Sequence, residues 1–483
     1  MSAPHAIADP TAAAEHPAIV RAQASFARLV LALVRLYHPT IAVSGRLPLP
    51  AGPCIVVANH PNGLIDPLVL RLALDRELAF LGKATLFANP IGRFAMRSFA
   101  AVAIARRQDG GDAEAAQRRN EQTFARCRAL LATGRDMALF PEGISHDAPG
   151  LVALKTGAAR IALSAAASFA NAGPGAPASL HLVPVGLLYA AKQTFRSEVS
   201  AAVAAPIDVL AYYRAHGDDP EAVRALTEVI DRSLRDVVLA AENPLTWQGL
   251  QQVAALVDLG SLAPPDAGVA DRQARALALG DAFARLQAVD LARAEALADA
   301  ARSYLQMADE VGLLDLGDPR GPLAVERDAA GAGRVLGAAA SLVLLAPFAA
   351  LGTLLNWPTY RAIGALAIAL AKGEQDVVST YKLLGGMALL PLAWLVQALA
   401  LGLWRGPTVA LAAAILAPLC GAVALRWDER LQLRRRALRA GWLRLTRASV
   451  AFELAARRRE LAMAIQHALR GLDAAPERHP EVG

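Results

Sequence analysis

The chain has 483 residues, 55% of them hydrophobic and only 5% aromatic, with a formal net charge of +6, a pI near 9.5 and a mean hydropathy of +0.34. At about 150 residues per domain this length predicts about three units, and an apolar share above the roughly 45–50% of ordinary soluble domains excludes intrinsic disorder and a fibrous class. The surplus is carried by Ala, Leu and Val, which suits helices and membrane, and the positive charge fits either nucleic acid or an anionic bilayer.

The N-terminus, MSAPHAIADPTAAAEHPAIV, has no basic region ahead of an apolar core, which argues against a cleaved secretory signal. Ile19 to Tyr37 is amphipathic, with Leu29, Val30, Leu33, Val34 and Leu36 beside Arg21, Arg28 and Arg35. It either docks on a bilayer or caps the domain that follows. Over the first 210 residues, short apolar runs alternate with helical stretches. Cys54–Ala58, Leu78–Leu81, Val102–Ala105, Asp136–Phe140 and His181–Leu187 read as strands; the surroundings of Arg71, then Ala113–Thr133 and Lys155–Ala170, read as helices. This alternation predicts an α/β domain with polar residues at its strand ends. Cys54, Cys127 and Cys420 show no paired spacing, so reduced thiols in a cytosolic setting are expected and no metal site is. Only five of the 49 basic residues are lysine, an Arg and Ala bias that reads as GC-rich, bacterial coding.

Pro220–Ala240 and Asp271–Val311 carry a soluble helical pattern, punctuated by loop signals at Ala263-Pro264-Pro265-Asp266 and Gly317–Pro322. No chemistry is visible there. No charged residue lies between Arg334 and Arg361, between Lys382 and Arg405, or between Arg405 and Arg426. Each stretch reaches the length of about 20 residues that a membrane-crossing helix needs. Buried core helices, or re-entrant hairpins encouraged by Pro347, Pro391 and Pro418, are the alternatives. The tail from Arg426 onward is basic (Arg430, Arg434, Arg435, Arg436, Arg439, then Arg457, Arg458, Arg459) and interleaved with leucines, Trp427 and Trp442. That pattern favours anionic lipid over nucleic acid and places the tail in the cytoplasm. With the N-terminal domain on the same side the number of crossings is even, so two hairpins are expected, turning near Asn356–Tyr360 and at Arg405-Gly406-Pro407, or else one stretch lies in the interface. The expected division is an N-terminal helix at 1–40, an α/β domain at 41–212, a soluble helical region at 213–330, membrane helices or hairpins at 331–426 and a basic tail at 427–483.

The chemistry concentrates at strand ends. After the first strand comes Asn59-His60-Pro61-Asn62-Gly63-Leu64-Ile65-Asp66-Pro67. A carboxylate one tight turn beyond a histidine can fix its tautomer and leave the other ring nitrogen to take a proton from a substrate hydroxyl. Phe140-Pro141-Glu142-Gly143-Ile144-Ser145-His146-Asp147 follows another strand, and Lys83 and the pair Arg106, Arg107 follow two more. A base, a carboxylate and several cations suit a phosphorylated alcohol, which arginine binds through several donors at once.

NHPNGLIDP, FPEGISHD and LVPVG, in this order, resemble the first, third and fourth blocks of the glycerolipid acyltransferase family, and Gly82-Lys83 through Ala105-Arg106-Arg107-Gln108-Asp109 would be the second. The common family pattern has four residues between His and Asp where this chain has five, a spacing that with Leu154-Lys155 and Gly157 is closer to the fungal-type glycerol-3-phosphate/dihydroxyacetone-phosphate acyltransferases. Ile144 replaces the usual Thr or Gly. The resemblance covers about residues 40–210. It implies a mixed sheet flanked by helices, followed here by a helical region and C-terminal membrane helices. It further implies that His60 deprotonates a glycerol hydroxyl, that Asp66 orients His60, and that Asn62, Lys83, Arg106, Arg107, Glu142, Gly143 and Ser145 contact the acceptor. Acyl-CoA or acyl carrier protein would be the donor, and glycerol 3-phosphate or lysophosphatidate the acceptor. No metal or further cofactor is implied. For individual residues blander roles stand beside these: a helix cap for Asp66, a loop tie for Glu142, a surface lysine for Lys83.

Overall fold

The computed structural model describes residues 16–104, 113–148, 150–173, 175–238, 269–311 and 332–474. Two compact units are present, residues 1–247 with 268–277, and residues 248–267 with 278–483.

The first unit begins with helix α1 (Pro17–Tyr37) and strands β1 (Ile41–Gly45) and β2 (Cys54–Ala58), then α2 (Ile65–Leu74), β3 (Leu78–Lys83), α3 (Pro90–Arg97) and β4 (Val102–Ile104). It continues through α4 (Ala113–Ala132), β5 (Asp136–Leu139), α5 (Gly157–Asn171), β6 (His181–Tyr189), β7 (Val199–Val203), β8 (Ile207–Asp208), α6 (Val209–His216) and α7 (Pro220–Arg235). The strands form one mixed sheet in the order β1-β7-β6-β2-β5-β3-β4, with β8 paired to β6. β2 is apolar throughout and wholly buried, as expected of a central strand covered on both faces. It pairs in parallel with β5 and β6, and β3 pairs in parallel with β5 and β4. The C-terminal ends of these five strands therefore share one edge, where open α/β sheets present their sites.

The core on one face joins Ile55, Val57 and Met137 of the sheet to Leu131 of α4 and Ile161 of α5. Each such side chain contributes about 1.5–3 kcal/mol by burial. α7 belongs to this core through Ala222, Leu226, Ile230 and Leu234, so the unit runs past the boundary expected at residue 212. Its start follows local rules: Asp219 accepts from the Glu221 and Ala222 N–H groups at 3.0 and 2.8 Å, and Pro220 occupies the first turn. α1 takes the capping role. Gln23, Ala27, Val30, Val34 and Tyr37 line its buried stripe, and Phe26 meets Phe94 of α3 edge-on at 5.5 Å.

In the second unit, helices α8 (Val269–Val289, from Ala278 onward), α9 (Leu291–Glu310) and α13 (Ala448–Ala474) share a small core of Leu286, Ala294 and Ala468. Between α9 and α13 in sequence lie α10 (Ala332–Ala371), α11 (Val378–Arg405) and α12 (Pro407–Thr446), which pack on one another. Leu342–Ala371, Gln375–Arg405 and Pro407–Leu431 are long and apolar enough to cross a membrane, as by length and composition is α1. Val343, Leu344, Leu354 and Leu403 leave their apolar surface uncovered, which suits a lipid environment. The expected turn near Asn356–Tyr360 is absent: α10 is unbroken there, and the chain turns at Lys372-Gly373-Glu374. The reason is a bundle interior that reads like a loop. Asn356 donates to the carbonyls of Gly352 and Ala417 at 2.9 and 3.0 Å and accepts from Trp394 Nε1 at 2.7 Å, so one amide ties three helices. The turn at Arg405-Gly406-Pro407 is observed. The side chains of residues 432–445, including Arg434, Arg435, Arg436 and Arg439 of the basic tail, lie outside the described residues.

Gly186, in the middle of β6, faces the chain just beyond α7; a Cβ there would come within 2.0 Å of the Val237 carbonyl oxygen. Gly186→Ala should destabilise the first unit by about 1–3 kcal/mol, read as a lower melting temperature; an unchanged value would contradict this packing.

Candidate active site

β2 ends at Ala58, and the turn Pro61-Asn62-Gly63 carries the chain directly into α2. Asn59 anchors the start of this turn through two bonds to the Leu187 backbone, donating at 3.0 Å and accepting at 2.7 Å. The tight reversal brings the His60 ring onto the first turn of α2. His60 Nδ1 donates to Asp66 Oδ2 at 2.8 Å, which leaves Nε2 as the bare nitrogen with no protein partner among the described residues. Asp66 is completely buried, near a helix N-terminus that favours negative charge. Its Oδ2 also accepts the Asn62 N–H at 2.8 Å, and its Oδ1 accepts the Tyr189 hydroxyl at 2.7 Å.

The loop after β5 supplies the second side. The Phe140 ring stacks on the His60 ring with centroids 4.0 Å apart and planes 12° from parallel. Glu142, 1% exposed, accepts the His60 N–H on Oε1 at 3.2 Å and pairs with His146 through Oε2. His146 N–H in turn reaches the His60 carbonyl at 3.1 Å. Burial pushes the Glu142 carboxyl up to about 8, opposed by N–H donors from His60 and Val152. Gly143 has φ +71°, a conformation that favours glycine, and the flexible end of the Lys155 side chain lies where a Cβ would sit.

The sequence-identified residues divide as follows. His60, Asp66, Glu142 and Gly143 come together. Asn62 is fully buried: its carboxamide lies beside the Tyr189 hydroxyl without completing a well-formed bond, and it offers no surface to an acceptor. Glu142 likewise turns both oxygens to protein. Lys83 is exposed at the end of β3, on the shared edge, and Ser145 is half-buried in the loop beside His146. Arg106 and Arg107, just beyond β4, lie outside the described residues.

Three contributors were not named as site residues from the sequence. Tyr189 closes the carboxylate from the end of β6. Lys192 donates to the Pro61 carbonyl at 2.7 Å and pairs with Asp147, clamping the two loops together. Lys155 brings an exposed ammonium next to Gly143. Only Lys155 carried a signal, through its place before Gly157.

Residues 40–188 match the protein-family model described as Acyltransferase, so the chain carries an acyltransferase-family domain. An uncharacterised acyltransferase of Schizosaccharomyces pombe is 31% identical over 137 residues, 27% of this chain and 19% of that protein. Glycerol-3-phosphate O-acyltransferase 2 of Saccharomyces cerevisiae is 33% identical over 138 residues, 28% of this chain and 17% of that protein. The match therefore spans under a fifth of either yeast relative. The crystal structure of the 1-acyl-sn-glycerophosphate acyltransferase from Thermotoga maritima aligns with a TM-score of 0.31 at 20% identity, over 45% of this chain and 78% of that one.

A raised carboxyl makes stability depend on pH. The neutral form of Glu142 is the one burial favours, so its contribution is complete below the ordinary value of 4.5 and is lost as pH rises through about 8. Glu142→Gln should flatten the fall in apparent melting temperature across that window; equal slopes in the two proteins would refute the assignment.

Proposed function

We propose that this chain is a membrane O-acyltransferase that moves a fatty acyl group from acyl-CoA or acyl carrier protein to the sn-1 hydroxyl of glycerol 3-phosphate. The observation that carries the reading is the His60–Asp66 pair at 2.8 Å with Nε2 left bare at the sheet's C-terminal edge. The yeast relative named as a glycerol-3-phosphate O-acyltransferase supports the acceptor.

In this mechanism His60 Nε2 takes the hydroxyl proton as the alcohol oxygen attacks the thioester carbonyl. The tetrahedral intermediate collapses to the ester, and the departing thiolate receives the proton from His60. A thioester is already activated, so positioning and one proton transfer suffice. Asp66 holds the tautomer and stabilises the transient imidazolium. Glu142 ties the His60 backbone to its loop and is given a positioning role, not an acceptor contact. Arg106, Arg107 and Lys83, from the ends of β4 and β3, supply cations for the acceptor phosphate, with Lys155 beside Gly143 as a further one. In this reading the catalytic domain shares the cytoplasmic face of a bacterial inner membrane with the basic residues beyond Arg426, which requires that two of the three long apolar helices between them cross and the third lies in the interface.

Thiol release from acyl-CoA or acyl carrier protein by the detergent-solubilised chain, with glycerol 3-phosphate, dihydroxyacetone phosphate and lysophosphatidate offered in turn, tests the reading. Release should be fastest with glycerol 3-phosphate and fall about 100-fold or more in His60→Ala. Persistent release in that variant would remove the mechanism, and preference for lysophosphatidate would replace the acceptor. Replacing Arg106 and Arg107 together by Ala should raise KM for glycerol 3-phosphate about tenfold while leaving KM for the donor unchanged; equal effects on both would argue against a phosphate role.

A further inference from the structure

We propose that Tyr189 is a positioning residue for acyl transfer: its hydroxyl holds the second oxygen of Asp66 and so fixes the direction in which His60 presents Nε2. The inference rests on the general-base reading of His60 and extends it to a residue 123 positions from Asp66.

A carboxylate bonded through one oxygen is free to swing, because the torsion at its terminal sp³–sp² bond is broad. Asp66 uses Oδ2 for both the His60 ring and the Asn62 N–H, each at 2.8 Å. Tyr189, donating to Oδ1 at 2.7 Å, removes the remaining rotation. The tyrosine is itself well anchored. It ends β6, paired with Val199 of β7, and is 4% exposed. The His38 ring meets its edge with centroids 5.3 Å apart. His38 is fully buried just after α1 and is fixed by its own bond from Nδ1 to the Ser197 carbonyl at 3.0 Å. His38, just after α1, and strand β7 thus brace the tyrosine.

Electrostatics assigns the phenol the role of a permanent donor. Burial and the neighbouring Asp66 charge keep the phenolic proton on to well above the ordinary value of 10. Burial correspondingly lowers His38 and favours its neutral form. The titratable groups around Asp66 are then His60, Glu142, Tyr189 and His38. His38 keeps Nε2 unbonded but wholly buried, so of these groups only His60 has a ring nitrogen open to substrate. Tyr189 is therefore no acid or base in the reaction; its contribution passes through Asp66.

Tyr189→Phe in the full-length chain isolates the hydroxyl while keeping the ring against His38. The expected kcat is lower by about tenfold, with KM for glycerol 3-phosphate within about twofold of wild type. Without the phenolic donor the carboxylate charge is less dispersed and holds protonated His60 more firmly. The acid limb of kcat/KM should accordingly move to higher pH. That limb is a ratio of rates in one preparation, so partial loss of folded protein does not mask it. Asp66→Asn supplies the second arm: adding Tyr189→Phe to it should cost little more, because both act through one carboxylate. An unchanged kcat and acid limb in Tyr189→Phe, or losses that multiply in the double variant, would overturn the proposal. Activity surviving in His60→Ala would instead remove the underlying general-base reading, whereas an inactive His60→Ala with a wild-type-like Tyr189→Phe sinks only the role of Tyr189.

Discussion

A carboxylate with no exposure to solvent has to be surrounded by donors, and much of the local architecture follows from meeting that demand at Asp66. Removing a charge from water without partners costs several kcal/mol, so Asp66 constrains whatever packs around it. The turn after β2 supplies the Asn62 N–H, the histidine preceding that turn supplies a ring N–H, and β6 supplies a phenol. Each donor comes from a segment whose position is set by the sheet. The carboxylate thus ties α2, the β2–α2 turn and the end of β6 into one rigid corner.

His60 is held at two levels by two different acids. Asp66 takes the ring and Glu142 takes the backbone N–H, while Phe140 lies flat against the imidazole. In the proposed role of general base, His60 gains from such double fixation, because less reorganisation is left for the encounter with a substrate hydroxyl. The requirement explains why the loop after β5 is so heavily tied: His146 reaches both Glu142 and the His60 carbonyl, and Lys192 joins Asp147 to Pro61. Gly143 is the residue that lets the loop reverse within this space.

Legibility in the sequence tracked the range of the interaction. The five strands read from apolar runs lie within a few residues of those observed, because buried parallel strands announce themselves by continuous hydrophobicity. β1 and β7 were missed: IAVSG and VSAAV are short, mix small and polar residues, and take their identity from pairing with each other. His60 and Asp66 sit in one turn and were readable as a pair. Tyr189 and Lys192 reach the same corner from 123 and 131 positions away, and no spacing rule encodes that. Residue type also says nothing of direction, which is how Asn62 and Glu142 read as substrate contacts although both are buried in protein. The span containing Asn356 misled for a related reason. Asn-Trp-Pro-Thr-Tyr has turn-forming composition, yet in a bundle an asparagine is a cross-link and a proline is tolerated where neighbours hold the freed backbone groups.

The three apolar helices of the second unit are governed by the same rule as the corner around Asp66, under a different solvent. Their outer faces carry uncovered leucines and valines, while polar side chains turn inward: Trp394 and two backbone carbonyls meet Asn356, and Gln397 donates to the Leu355 carbonyl at 2.9 Å. In hydrocarbon an unpaired amide has no water to fall back on, so such groups are kept only where they find one another. Partners for Asp66 come from a sheet edge and those for Asn356 from helix flanks. In both units a polar residue that would destabilise the interior alone becomes, once paired on several sides, the point at which separate elements are registered.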